Sequence, residues 1–168
     1  RGLRSIVRQD PDVILVGEIR DKETADIAVQ SALTGHLVFS TLHTNDSSSA
    51  ITRLVDMGVE PFLLSSSLVG MLSQRLVRVL CDACKTQRDA TKSELEFLRQ
   101  PSAVVYDAKG CESCQHSVYK GRSGIYEVGA VDDTMRQMIH DQVSEQELNG
   151  YARRKSPSIR DDGKAKIL

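Results

Sequence analysis

The stretch RQDPDVILVGEIRD, residues 8–21, decides the architecture. Val13, Ile14, Leu15 and Val16 run without a polar residue between them and stop at Gly17-Glu18. So short an apolar run, entered through Asp10-Pro11-Asp12, is a strand, and apolar residues on both faces predict that it is fully buried in a parallel sheet covered by helices. Pro11 cannot continue a helix and Asp side chains bond locally, so 10–12 is a turn and residues 3–8 are expected to end a preceding helix. The strand delivers Glu18 to its carboxyl end, the side of an open parallel sheet on which ligands sit.

Working outward, Asp21 is placed to cap a helix over about 22–33, with Ala25, Ala28, Val29, Ala32 and Leu33 inward and Gly35 where a left-handed cap belongs. HLVFST, 36–41, reads as a second apolar strand, followed by the polar loop LHTND. Asn45 or Asp46 then caps a helix ending at Gly58, and Glu60-Pro61 opens a long helix expected over 62–80. Strand alternating with helix is the signature of an α/β layer architecture. The region after residue 81 holds four cysteines around a charged, helix-prone insert at about 89–100, then the strand-like GIYEV, then a helix from Thr134 to near His140. The polar tail from Ser144 is helix-prone at first and under-determined towards its end.

The balance of charges excludes some classes of partner. Net charge is −1 and no basic run exceeds Arg153-Arg154-Lys155, which leaves no electrostatic footprint for nucleic acid. With no Trp, a base-stacking surface is disfavoured as well. No apolar run approaches the roughly 20 residues that span a bilayer, because the most apolar helix candidate is cut by Ser65-Ser66-Ser67, Ser73, Gln74, Arg75 and Arg78. There is no secretory signal and no initiator Met; the chain opens on RGLR, ends on DDGKAKIL, and reads as a fragment.

CDAC at 81–84 and CESC at 111–114 form paired two-residue hooks. Two thiolates so spaced bite one face of a metal, and a second hook completes a four-sulfur set suited to structural zinc. The rival readings are two disulfides, which need an oxidising compartment, and a redox pair, which needs one hook rather than two matched ones. His116, just past Cys114, is surplus to a closed shell. The candidate acid is Glu18; read alone, it is as well explained as a solvated residue opening a loop. His36 and His43 flank the second strand, His43 beyond its carboxyl end on the side of Glu18, where it can donate to a phosphate oxygen. His36, at the strand's start, is read as structural more than functional. Thr41, Thr44 and Asn45 can position the loop, although turn formation alone would explain them. No GxxxxGK[ST] occurs: Gly163-Lys164 is the one Gly-Lys pair and residue 158 is Ser, so a phosphate-gripping loop is absent from this chain.

GLRSIVRQDPDVILVGEIRDKETADIAVQSALTGHLVFSTLHTND resembles the Walker B region and histidine box of the secretion ATPase superfamily, the hexameric motors of type II secretion and type IV pilus assembly. ITRLVDMGVEPFLLSSSLVGMLSQRLVRVLC, the tetracysteine region and YKGRSGIYEV resemble the type II secretion and pilus-assembly branch, EPFLLSSSL most of all the type II members. The resemblance implies the second half of a RecA-like P-loop NTPase domain over 1–80, a tetracysteine zinc subdomain over 81–130, and a truncated helical segment over 131–168. It implies ATP hydrolysis by the intact protein as a homohexamer, with Mg2+, on the cytoplasmic face of the inner membrane, against secretion platform proteins and without nucleic acid. Residue by residue, Glu18 matches the Walker B acid, His43 the histidine-box residue near the γ-phosphate, His36 its companion and Arg122 an arginine near the nucleotide base. Arg20 and Arg75 invite phosphate or interface roles but are as well explained by solvation or salt bridges. Without Walker A the chain alone is expected to be inactive. The alternatives are a type IV pilus assembly motor and a non-catalytic zinc-ribbon module that binds protein.

Overall fold

A computed structural model describes residues 9, 11–44 and 46–168. The helix expected over 3–8, Asp10 of the turn and the capping role of Asn45 fall outside them. Two compact units emerge, Arg1–Ser73 with Val128–Ser156 and Gln74–Glu127 with Pro157–Leu168.

In the first unit, β1 (Val13–Val16) and β2 (Leu37–Ser40) pair in parallel, with Val13 opposite Leu37 and Val16 opposite Ser40. The connecting α1 (Lys22–Leu33) starts where Asp21, extended, accepts a 2.8 Å bond from the Thr24 amide. Such a cap stabilises a helix by about 1 kcal/mol. Ala25, Ala28 and Val29 are buried at helical spacing. The inward assignment of Leu33 needs correction: it is 40% exposed. The buried residue of that turn is Ser31, tolerated because its hydroxyl donates to the Ile27 carbonyl at 2.7 Å. Gly35 adopts φ +104°, the left-handed conformation expected of it.

The reading of 13–16 as buried on both faces is also corrected. Ile14 and Val16 enter the core, whereas Val13 and Leu15 are 54% and 76% exposed. Side chains alternate along a strand, and the core cluster packs on one face of this two-stranded sheet. Val38 of β2 faces that core, while Leu37 and Phe39 are exposed.

The long helix over 62–80 is not formed. α2 (Ser49–Asp56) has Ser48 rather than Asp46 at its N-cap, without a side-chain capping bond, while Asp46 accepts the Ser49 amide at 2.9 Å; α3 (Pro61–Ser67) and then strand β3 (Gly70–Leu80) follow. Ser65 and Ser66 turn their hydroxyls back to the Phe62 carbonyl, and Ser67 to that of Leu63. Such back-bonding competes with the helix, and Leu68 leaves it in an extended conformation. Beyond Gly70 the β-branched Val77 and Val79 repeat with a period of two, which suits a pleated strand and outweighs the apolar helical reading.

The core of this unit joins Ile14, Val16 and Ile19 to Ala25, Val29, Leu54 and Leu64, and to Met135 and Ile139 of α5 (Asp133–His140) and Leu148 and Tyr151 of α6 (Glu145–Lys155). Asp132 ties the last two helices, accepting the Met135 amide at 2.9 Å and the Tyr151 hydroxyl at 2.6 Å. In the second unit, β4 (Lys85–Asp89) pairs antiparallel with β5 (Val104–Ala108) across the charged insert, which forms α4 (Lys92–Leu98) behind a Thr91–Glu94 capping box. β6 (Tyr119–Ala130) contains GIYEV and pairs with β3. α7 (Ile159–Ala165) closes the unit: its Ile159 amide donates to buried Glu127 at 3.2 Å, and its Asp162 accepts the Tyr126 amide at 2.8 Å.

Candidate functional site

Parallel pairing in register makes the carboxyl ends of β1 and β2 coincide, and two further bonds carry the pairing into the loops. The Ile19 amide donates to the Thr41 carbonyl at 3.0 Å, and the Thr41 hydroxyl donates to the Gly17 carbonyl at 2.6 Å. Glu18 and His43 are thereby brought together, with His43 Nε2 2.9 Å from Glu18 Oε1. Arg20 Nε donates to the other carboxylate oxygen at 2.6 Å. The Arg20 bond holds the Glu18 carboxyl below its usual range; partial burial opposes this, and the charges of Arg20 and His43 add to it. Glu18 is therefore an ionised, acceptor-only group, able to hold a cation or orient a water. Its side chain is 20% exposed, against 76% for Arg20 and 89% for His43, so the site opens outward through these two side chains.

Arg20 is the member whose contact the sequence reading did not assign. Its signal was local: in an extended segment residues i and i+2 project to the same side, so an arginine two after an acid meets it.

His36 lies at the opposite end of β2 from His43 and is not brought to Glu18. Its Nδ1 is 3.0 Å from the Ser31 carbonyl and 3.2 Å from the Thr34 hydroxyl, which closes the carboxyl end of α1. Its Nε2 is buried without a partner among the described residues. The Thr44 hydroxyl donates to the Asp46 carbonyl at 3.1 Å and shapes the loop after His43. Arg75 and Arg122 belong to the second unit, exposed on β3 and β6.

The second unit gathers its four cysteines. All four sulfurs lie within 4.8 Å of one another. Cys81 and Cys111 are 4.0 Å apart, Cys84 and Cys114 3.9 Å, and Cys111 and Cys114 3.8 Å. A disulfide requires about 2.05 Å, so these are four free thiols sharing one site. Each hook is a tight turn: the Cys84 amide donates to the Cys81 carbonyl at 3.1 Å, and the Cys114 amide to that of Cys111 at 3.2 Å. The Cys111 amide also donates to Cys114 Sγ at 3.2 Å, and this bond draws the Cys114 thiol down to about 6. Burial pushes Cys84 up to about 12, the preference a bound cation reverses. The four thiolates could hold a metal ion. His116 follows the second hook with φ +57° and is exposed.

Among the described residues, no helix is long and apolar enough to cross a membrane. The family model of the Type II/IV secretion system protein matches residues 1–168. The chain is 60% identical over its whole length to the type II secretion system protein E of Pseudomonas aeruginosa, and covers 34% of it. It is 54% identical over 99% of its length to the type II secretion system ATPase E of Vibrio cholerae, again covering 34% of that protein. The solved structure of the pilus retraction motor PilT with bound ADP superposes on 92% of this chain and 36% of its own, with a TM-score of 0.61 and 29% identity. The chain thus spans about a third of the length of the curated relatives it matches.

Proposed function

Since the chain belongs to the Type II/IV secretion system protein family, we propose that it is the Walker B and histidine-box portion of a RecA-like secretion ATPase. The observation that carries this is the contact of Glu18 with His43 across the coincident ends of two parallel strands. The intact protein hydrolyses ATP as a hexamer at the cytoplasmic face of the inner membrane and works on platform proteins of the type II system. Identity of 60% to a type II protein against 46% to a type IV pilus assembly ATPase of Acinetobacter baylyi favours secretion.

Magnesium and ATP, when bound, supply charge neutralisation and the phosphoryl group. The chain's residues suit them: Glu18, an ionised carboxylate bonded to Arg20, is an acceptor for a hydrated cation or for the attacking water, and His43 is exposed and within reach of the same space. Arg122 is assigned to the nucleotide's base, and His36 to positioning, because its contacts run to Ser31 and Thr34 of the preceding helix end. Phosphoryl transfer depends on positioning and charge stabilisation, and the loop that grips the phosphates is not in this sequence. The isolated 168-residue chain is therefore inactive while the full-length protein turns over Mg-ATP. Turnover by the isolated chain that vanishes in Glu18→Gln would refute this division of labour.

The metal is zinc, in a structural role. Tetrahedral zinc with bonds of about 2.3 Å separates its sulfurs by about 3.8 Å, and three of the sulfur pairs here span 3.8–4.0 Å. The second unit also needs it. Its buried apolar residues are Leu98, Val105 and two of the cysteines, too little core for a small unit to stand on without a staple.

A further inference from the structure

We infer that Thr41 is a positioning residue for hydrolysis: its hydroxyl and its carbonyl grip the peptide on both sides of Glu18 and so fix that carboxylate against His43. The inference rests on the reading of Glu18 as the Walker B acid. Gly17 and Ile19 are the chain neighbours of Glu18, and the bonds that restrain both end on the same residue. The Gly17 carbonyl accepts the Thr41 hydroxyl at 2.6 Å, and the Ile19 amide donates to the Thr41 carbonyl at 3.0 Å.

The strand pairing ends at Val16 opposite Ser40, so residues 17–19 leave the sheet and begin a loop. Glycine has the widest backbone freedom of any residue, and without the hydroxyl bond the Gly17–Glu18 peptide could rotate there. Thr41 stands two residues before His43, so the same residue sets where both groups point. It is exposed, which leaves its methyl group little packing to contribute and makes the hydroxyl the part that matters. A misplacement of about 1 Å at a reacting group costs on the order of a hundredfold in rate.

The test uses the full-length protein. Thr41→Val keeps the β-branch and the volume and removes the donor; Thr41→Ser keeps the donor and removes the methyl. Thr41→Val is expected to lower kcat by about tenfold to a hundredfold with the KM for ATP within about twofold, since the interaction positions the reacting group without binding substrate. Thr41→Ser is expected to recover most of that loss. A role in packing would give the reverse order, and either that order or a parental kcat in Thr41→Val overturns the inference. If Thr41→Val melts below the assay temperature, Thr41→Ala against Thr41→Ser gives the same ranking. Glu18→Gln is assayed alongside. Unchanged turnover there removes the functional reading itself, whereas an inactive Glu18→Gln beside a parental Thr41→Val removes the role of Thr41 alone.

Discussion

His43 Nε2 stands 2.9 Å from Glu18 Oε1, across the ends of two strands whose register sets Val16 opposite Ser40. Neither residue is held by the core: one lies in a loop after β1, the other in a loop after β2. What joins them is the parallel pairing and its continuation through Thr41. Arg20 completes the arrangement from the far side of the carboxylate.

Arg20 lowers the pH at which Glu18 takes up a proton. Its bond is the largest influence lowering the carboxyl's pKa, so Arg20→Ala moves that pKa up towards the ordinary value of 4.5. Glu18 acts as a carboxylate, and the acid limb of the full-length protein's pH–rate profile should shift to higher pH in that variant. An unmoved limb would show that Glu18 does not depend on Arg20 for its charge.

Metal analysis should find about one zinc per chain, lost from variants in which Cys84 or Cys114 becomes serine. Chelation is expected to open the region 81–130 to proteolysis while the helices and parallel strands of the first unit persist, because a four-thiolate site contributes much of a small unit's folding energy. A cleavage pattern that chelation leaves unaltered would contradict a structural role.

Leu64 is 1% exposed on α3 and belongs to the core of the first unit. Leu64→Ala removes three buried carbons and leaves a cavity, a loss of about 2–5 kcal/mol. Urea unfolding measures it, and a change under about 0.5 kcal/mol, the range of surface substitutions, would mean that α3 is not packed as described.

In the second unit Arg88 donates to Glu94 at 2.7 and 2.8 Å and to Asp107 at 2.6 Å. The Arg88 bonds, followed by those from Thr91, lower Glu94 from 4.5 to about 2. A carboxyl depressed on folding stabilises the folded state above its unfolded pKa and loses that contribution as pH falls through its folded one. Stability of this unit should therefore decline from about pH 4.5 to about pH 2, and Glu94→Gln should flatten the decline. The pH dependence of thermal melting checks it. An equal slope in wild type and variant would exclude Glu94 as a source.

Much of this was legible from the sequence, for physical reasons. Asp21 and Gly35 carry local conformational preferences that do not depend on the rest of the chain, and α1 lies where these place it; the helix-prone insert at about 89–100 likewise forms α4. The CxxC pairs read as one site because their spacing fixes ligand geometry within each hook. The helix expected over 62–80 failed because apolar content outweighed what the serines and Gly70 do to a backbone. The exposed face of β1, with Val13 and Leu15, could not be foreseen from a run of four apolar residues, since period and burial separate only when one face is polar. The Thr41 contacts depend on register between strands, which single-chain patterning does not specify.

The most direct test of the whole account is Mg-ATP turnover by the full-length protein with Glu18→Gln, measured together with nucleotide binding. The substitution keeps the shape of the side chain and removes the carboxylate charge. Binding within about twofold of the parent and turnover reduced by about a hundredfold or more is the predicted result, since the lost group acts on the attacking water and not on affinity. Turnover at the parental rate would contradict the account, leaving the Glu18–His43 contact as a structural feature of the two loops.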